Sequence, residues 1–389
     1  MRQHCPNSNP AYLAPVSYSD RVELNHFEIG HADPTSLEGV PPSPGAVAMF
    51  AADGSCLLVA VTGDAREFCK KRLNPERGGS LAEVVHHIEC ARCDSMFEAQ
   101  WAYLTLARDR LGEAAAAVVD RMRCWFLRLD HVACTWDITQ LEQGWEPDER
   151  FTVVGPMPDK HAAERLGQML DAGFDLCRFP NEVRRAPHGR ACVYHEMGRC
   201  PAPCDGSEPW LNFAARFNHA SLSLQSSDTL SATLETHMNA AARAQEFERA
   251  GEMQRLVDAL GTRRGRALAH FGRLENWERI VVSPIGSARV RIWSWRASGL
   301  TALCETPRQA TAAERIDLAH HIETRTCPPC RALTRQDIEL FWVMSQRLFL
   351  ARRAEQILLP AEAIDPKRLK SALLKHAKIT DETEEFTLL

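Results

Sequence analysis

The sequence lacks the long apolar runs of membrane proteins and a large surplus of either charge. No window approaches the roughly 18 uninterrupted apolar residues that a spanning helix requires. The 46 Lys and Arg residues nearly balance the 51 Asp and Glu residues, which leaves a formal net charge of -5. With no overall basic character, any contact with nucleic acid must come from a local patch of the surface.

The N-terminus has no apolar core region of the kind that signal peptides contain, because its first residues are mostly polar. We therefore expect no secretory signal, a cytoplasmic location, no membrane association and reduced thiols. The 14 cysteines are unevenly spread along the chain. This distribution favours metal binding over a disulfide framework.

A chain of 389 residues is too long for one small core, so several modules are expected. The pattern of apolar residues predicts an α+β multi-domain protein. The predicted units are a flexible leader at 1–38, a small α/β domain at 39–112, a cysteine-rich domain at 120–212, a helical hairpin at 228–262 and a β-hairpin with helices at 272–389.

Four cysteines in the cysteine-rich unit follow the spacing C-x14-C-x7-C-x3-C: Cys177, Cys192, Cys200 and Cys204. Thiolates are soft ligands, and four of them select a zinc ion or an iron–sulfur cluster. Four arginines accompany the series and would place a negatively charged centre in a basic shell: Arg184, Arg185, Arg190 and Arg199. The alternative is four buried thiols that serve only for packing.

Two further Cys-x-x-Cys pairs occur, namely Cys90 with Cys93 and Cys327 with Cys330. Neither has the strand–helix context of a redox motif, in which the pair opens a helix. We expect structural roles in turns and cores for both pairs.

The segment ACVYHEMGRCPAPCDG, residues 191–206, resembles the cysteine block of the UvrC family, the incision subunit of bacterial nucleotide excision repair. The matching positions are Cys192, Tyr194, Arg199, Cys200, Ala202, Pro203, Cys204 and Gly206. The resemblance implies that Cys177, Cys192, Cys200 and Cys204 hold a 4Fe–4S cluster, with zinc as the alternative.

The same resemblance extends to residues 39–112, which look like the family's GIY-YIG nuclease domain. Asp53-Gly54 predicts a hairpin turn, Asp64 a helix N-cap, and Ser95 to Leu111 a helix. The positions that correspond to catalytic side chains of the family hold Val47, Leu58, Val61, Phe68 and Tyr103. Apart from Tyr103, these side chains can neither hold a metal nor donate a proton, so the resemblance implies a degenerate nuclease site.

Three nearby side chains are possible substitutes in that site: Arg66, Arg72 and Glu98. Cleavage of a phosphodiester would also need a cation such as Mg²⁺ or Mn²⁺ held by a carboxylate. We therefore expect such a cation only if the nuclease is active.

The sequence EFERAGEMQRLVDAL in the helical hairpin resembles the UVR motif, which in the family binds a UvrB protein. The residues that would contact this partner are Leu234, Met238, Phe247, Glu248, Ala250, Met253 and Leu260. The alternative is that these apolar stripes pack within the chain.

In the UvrC family a second, RNase H-like nuclease domain follows the UVR motif and a short sheet. We expect no such domain after the helical hairpin of this sequence. Residues 279–304 instead predict a β-hairpin, followed by helices at 312–322 and 334–357. This layout resembles the shorter family members called Cho. Three hypotheses follow: a repair protein that binds double-stranded DNA or a UvrB-type partner without cutting, an active Cho-like endonuclease, and an iron–sulfur redox sensor on a repair-protein scaffold.

Overall fold

The structure is a computed structural model of the chain. It describes residues 11–12, 24–28, 34–74, 81–261, 265–324, 331–349, 357–360, 364, 366–375 and 386–387. Within these ranges none of the helices is both long enough and apolar enough to cross a membrane.

The described strands are β1 (Ala11–Tyr12), β2 (Leu24–Glu28), β3 (Gly45–Phe50), β4 (Cys56–Thr62), β5 (His87–Arg92), β6 (Trp125–Asp130), β7 (Thr135–Thr139), β8 (Phe151–Met157), β9 (Gly272–Arg273), β10 (Glu278–Ile285), β11 (Arg289–Arg296), β12 (Gly299–Pro307), β13 (Ile357–Pro360) and β14 (Phe386–Thr387). The described helices are α1 (Ala65–Arg72), α2 (Leu81–Val84), α3 (Met96–Leu111), α4 (Glu113–Asp120), α5 (Lys160–Gly173), α6 (Pro180–Val183), α7 (Val193–Glu196), α8 (Trp210–Leu222), α9 (Ser227–Arg243), α10 (Phe247–Gly261), α11 (Ala312–Thr324), α12 (Arg335–Phe349) and α13 (Pro366–Lys375).

The strands form antiparallel sheets in three regions of the chain. The N-terminal sheet has the order β14-β4-β3-β5-β2, the middle sheet β7-β6-β8-β9, and the C-terminal sheet β1-β12-β11-β10-β13. Each end of the chain adds a short strand to the sheet of the opposite half. The N-terminal β1 pairs with β12 of the C-terminal sheet, and the C-terminal β14 pairs with β4 of the N-terminal sheet. The fold is therefore a mixture of sheets and helices, in agreement with the predicted α+β class.

Local sequence signals account for the start of the N-terminal unit. Gly54 has φ +80° in the turn between β3 and β4, a conformation that glycine adopts without a steric penalty. Asp64 caps α1 by accepting a hydrogen bond from the Glu67 amide at 2.9 Å. Ser95 caps α3 in the same manner through the Glu98 amide. The predicted hairpin, helix caps and long helix are confirmed.

Helix α3 lies at the centre of the molecule because it is apolar on nearly every side. One side packs against β3 and β4, and the other faces the C-terminal sheet. There the Phe97 ring lies 6.1 Å from the Trp293 ring and 6.3 Å from the Trp295 ring, measured between centroids. The units predicted at 39–112 and 272–389 thus share one hydrophobic core, which the sequence analysis did not anticipate.

A second core belongs to the middle of the chain. The inner face of β6 and β8 packs against α5, and the apolar sides of α8, α9 and α10 complete it. The helical hairpin α9–α10 therefore rests on the cysteine-rich unit, and its apolar stripes contribute to this core.

Three expectations about secondary structure differ from the observed fold. Strands β1 and β2 lie within the predicted flexible leader, where β2 pairs with the edge strand β5. The predicted C-terminal hairpin is part of a larger sheet. Of the helix predicted at 334–357, the described part runs from Arg335 to Phe349, whereas Ile357 belongs to β13, which pairs with the edge of β10.

Candidate metal centre and predicted nuclease positions

The four cysteines of the series lie on short elements between α5 and α8. Cys177 follows the end of α5, and Cys192 is the N-cap residue of α7. Cys200 and Cys204 are buried, with 5% and 3% of their surface exposed. Cys177 and Cys192 are half-buried.

Two of these thiols are close neighbours. Hydrogen bonding by Cys177 lowers the pKa of the Cys200 thiol, and the nearby charge of Arg216 acts in the same direction. The same hydrogen bond raises the pKa of Cys177, and burial and Cys204 raise it further. Cys177, Cys200 and Cys204 therefore lie close enough together to influence one another.

The backbone holds the segment from Cys177 to Cys204, here named the cysteine segment, tightly folded. The Gly189 amide donates to the Cys204 carbonyl at 2.8 Å. A Cβ at Gly189 would lie 2.8 Å from the Glu182 carbonyl oxygen and 2.9 Å from that of Cys204, so only glycine fits there. Ala202 has φ +58°, which turns the chain between the last two cysteines.

The four candidate ligands are thiols, and thiolates bind soft metal ions such as zinc or the iron of a cluster. Nevertheless, the described residues contain no group of three or more His, Cys, Asp or Glu side chains arranged to hold a metal ion. The four thiols therefore share one segment without forming a complete four-ligand site among the described residues.

The expected basic shell is not formed by the arginines of the segment. Arg184, Arg185 and Arg190 are exposed to solvent. Arg199 instead makes a close ion pair with Glu252 of α10. These guanidinium groups point into solvent or pair with the helical hairpin. Burying them next to the thiols would cost solvation free energy.

The helical hairpin packs on the cysteine segment with most of the residues predicted to bind a partner. Leu234, Met253 and Leu260 are buried in the middle core, and Met238 is half-buried against it. Leu234 lies so close to α5 that a Cβ at Gly173 would be 2.6 Å from its Cδ2 atom. These residues stabilise the chain itself, as the alternative reading of the stripes proposed.

The beginning of α10 is different, because it faces solvent. Phe247 is 71% exposed, Glu248 is exposed and Ala250 is half-buried. Ion pairs anchor the same turn to the body of the molecule, since Arg249 contacts Asp175 and Glu252 contacts Arg199. Of the predicted contact residues, Phe247 and Glu248 are thus the most accessible.

The five predicted nuclease positions are all buried, and they lie on both faces of the N-terminal sheet. Val47, Leu58 and Phe68 pack together with α1 on one face. Val61 and Tyr103 lie in the core on the α3 face. Within the described part of the chain the Tyr103 hydroxyl has no hydrogen-bond partner, and burial raises the pKa of Tyr103 to about 12.

The predicted substitutes are engaged in structural contacts. Arg66 donates at 2.7 Å to the carbonyl oxygens of Val40 and of Glu38. The Arg72 guanidinium lies over the Phe68 ring, 5.4 Å from its centroid.

The third substitute, Glu98, is 2% exposed, and its Oε1 atom accepts from Arg291 Nη1 at 2.6 Å. Burial raises the pKa of Glu98 to about 7 even though Arg291 opposes this shift. Sequence reasoning missed Arg291, because an arginine in an alternating strand reads as a solvent-facing residue. It also missed the buried Asp171, which accepts from Trp136 Nε1 at 2.9 Å.

Cys90 and Cys93 belong to the N-terminal sheet and its cores. Cys90 packs on the α1 face of the N-terminal sheet and Cys93 on the α3 face. Both thiols are buried, as the structural role predicted for them requires. Cys327 and Cys330 lie outside the described residues.

Comparison with known proteins identifies the middle of the chain. Residues 130–223, which contain the four cysteines, match the family model of the UvrC/Cho excinuclease middle domain. The UvrABC system protein C of Citrifermentans bemidjiense is 27% identical over 234 residues, which is 58% of this chain and 36% of that relative. The protein of the same name from Thermus thermophilus is 34% identical over 110 residues, or 27% of this chain and 18% of the relative.

A third relative, the UvrABC system protein C of Natronomonas pharaonis, is 27% identical over 227 residues, covering 57% of this chain and 38% of the relative. The matched region thus spans little more than a third of the longest-aligned relatives. No solved structure matches this fold significantly. Over its middle region the chain is similar to the C proteins of the UvrABC excision repair system.

Proposed function

We propose that this protein acts in nucleotide excision repair as a UvrC-like component that binds DNA, a UvrB-type protein or both, without cutting DNA through its GIY-YIG-like domain. The relatives in the UvrABC system and the match over the middle domain support the repair role. The absence of cutting rests on the burial of the predicted nuclease positions.

The burial of the predicted nuclease positions is the main evidence that this domain does not cut DNA. Phosphodiester hydrolysis needs polar groups that touch both a cation and the substrate. Val47 and Phe68 are 0% and 1% exposed, so no substrate reaches them. Glu98 cannot hold a cation while its carboxylate is buried against Arg291.

The proposal includes a metal centre in the cysteine segment, either a 4Fe–4S cluster or zinc. Cys177, Cys192, Cys200 and Cys204 would hold it, and the Cys177–Cys200 contact supports two of these assignments. When bound, such a centre would crosslink α5, α7 and the segment before α8 and so stabilise the surface on which α10 rests.

A nicking assay tests the central claim. Damaged duplex DNA is incubated with the protein, a UvrB-type partner and Mg²⁺ or Mn²⁺, with a catalytically active UvrC protein as the positive control. We expect no incision by this chain. Incision that persists in Glu314→Gln but disappears in Glu98→Gln would establish the alternative, an active Cho-like endonuclease.

The thiol pair of Cys177 and Cys200 favours a second candidate function, an iron–sulfur redox sensor on a repair-protein scaffold. This candidate predicts reversible oxidation of a bound cluster together with no measurable affinity for DNA or for a UvrB-type protein. Binding of either macromolecule would contradict it.

A further inference from the structure

The cysteine segment presents aromatic and basic side chains together on its outer surface. This surface, here named the arginine–aromatic patch, consists of Phe179, Arg184, Arg185, Arg190 and Tyr194. Phe179 is 44% exposed although it is a large apolar side chain. The three arginines are exposed and Tyr194 is half-buried.

The two aromatic rings of the patch are neighbours. The ring centroids of Phe179 and Tyr194 are 6.2 Å apart. On the Tyr194 ring lies the guanidinium of Arg178, with its Cζ atom 4.3 Å from the ring centroid. Tyr194 is thus covered by an arginine, which leaves Phe179 as the aromatic side chain most open to a ligand.

Glu182 contacts two residues of the patch, the side chain of Arg185 and the backbone of Arg190. Its Oε1 atom accepts from Arg185 Nη1 at 3.2 Å, and its Oε2 atom accepts from the Arg190 amide at 3.0 Å. The Arg184 side chain donates to the neutral Asn181 side chain at 3.1 Å. No carboxylate among the described residues makes an ion pair with the side chain of Arg184 or Arg190, so the patch keeps positive charge.

This combination has a specific chemical use. Arginines attract the phosphates of a nucleic-acid backbone, and an exposed aromatic ring stacks with an unpaired base. Bases inside a duplex are already stacked on one another, so their faces are closed to Phe179. A patch that served duplex DNA alone would gain nothing from an exposed phenyl ring.

We propose that the arginine–aromatic patch binds single-stranded DNA, with phosphates on Arg184, Arg185 and Arg190 and one base stacked on Phe179. This inference rests on the proposed repair function, and it adds the binding surface and the strand form of the ligand. An unpaired segment next to a lesion would be a ligand of this kind.

Fluorescence anisotropy with the full-length protein, purified anaerobically, tests the proposal. The probes are a labelled single-stranded oligonucleotide and the same sequence as a duplex, each at several salt concentrations. We expect tighter binding of the single strand. Phe179→Leu should weaken its binding about 5- to 150-fold with an unchanged salt slope, because only stacking is lost.

The double variant Arg184→Ala/Arg185→Ala should also weaken binding, and it should reduce the salt slope by about 1.4, because two phosphate contacts disappear. The control Arg243→Ala, an exposed arginine in the last turn of α9, should bind like the wild type. Circular dichroism checks that each variant is folded, and Arg184→Gln/Arg185→Gln replaces the alanine variant if that one unfolds.

Equal affinity for single strand and duplex, or wild-type affinity in either patch variant, would overturn the inference. If single-strand binding is absent but binding to duplex DNA or a UvrB-type protein persists, only this inference fails. If the protein binds none of these macromolecules, the proposed function fails with it.

Discussion

Glu98 in the first turn of α3 accepts a hydrogen bond from Arg291 of β11 at 2.6 Å, although 193 positions separate the two residues in the sequence. Arg291 also contacts Glu305 of β12 at 2.9 Å. The carboxylate that sequence reasoning considered as a replacement metal ligand is therefore part of a buried ion-pair network. That network joins the N-terminal unit to the C-terminal sheet.

Loss of Arg291 should destabilise the protein strongly. At pH 8, above the pKa of about 7 of Glu98, Arg291→Met removes the cation that pairs with the buried Glu98 carboxylate. This loss should cost about 3–5 kcal/mol in the free energy of unfolding. The matched control is Arg289→Met on the same strand, whose side chain is 49% exposed and lies 3.6 Å from Glu305. Its loss should cost at most about 1 kcal/mol. Urea unfolding measures both, and equal losses would contradict a special role for Arg291.

The stability of the protein should fall as the pH rises from about 4.5 to about 7. Burial raises the pKa of Glu98 and that of Asp171 to about 7 in the folded state, above their ordinary values of 4.5 and 3.8. In this window the folded state therefore holds protons that the unfolded state has released. Each group contributes a slope of up to about 1.4 kcal/mol per pH unit.

Variants at the two carboxyl groups test this pH dependence in urea unfolding at several pH values. Glu98→Gln and Asp171→Asn should each flatten the decline. The double variant should instead gain stability up to about pH 6.5, because burial lowers the pKa of His270 to about 4 in the folded state and this group acts in the opposite direction. The exposed control Glu314→Gln should leave it unchanged, because its pKa is lowered rather than raised. A wild-type stability that rises across this window would refute the prediction.

Two apolar residues of α10 should separate partner binding from stability. Phe247 is 71% exposed and Met253 is 1% exposed. Phe247→Ala should therefore change the free energy of unfolding by less than about 0.5 kcal/mol and yet weaken binding to a UvrB-type protein. Met253→Ala should lose about 2–5 kcal/mol of stability through the cavity that it creates.

Calorimetric titration with the partner and thermal unfolding measure these two effects. Unchanged partner affinity in Phe247→Ala would show that the exposed start of α10 is not the contact surface. The intrachain role of the hairpin would then account for its apolar stripes without a partner.

Removal of one cysteine of the series should remove the metal. Cys200→Ser should lower the iron or zinc content of anaerobically purified protein to near zero and destabilise the middle region. The matched control is Cys134→Ser, because Cys134 is also buried and lies in the same family domain, outside the series. Elemental analysis and the visible absorbance spectrum report the metal. Full metal content in Cys200→Ser would exclude Cys200 as a ligand.

Secondary structure close to strong local signals was predictable from the sequence. The Asp53-Gly54 turn, the Asp64 cap and the start of α3 at Ser95 depend on contacts within a few residues, so the sequence displays them directly. The strand at Ile357–Pro360 was not predictable, because its partner is the edge of β10, which is distant in sequence. The buried pairing of Glu98 was hidden for the same reason.

The spacing of the four cysteines, the apolar residues at the nuclease positions and the amphipathic stripes of the hairpin can all be read from the sequence. Which of these features face water depends on how the sheets and helices pack together. This packing buries Met253 and leaves Phe247 exposed within one helix, and it turns Arg184 and Arg185 outward while Arg291 is enclosed. A side chain is buried when an element distant in the sequence packs against it. Residue types alone do not specify these tertiary contacts.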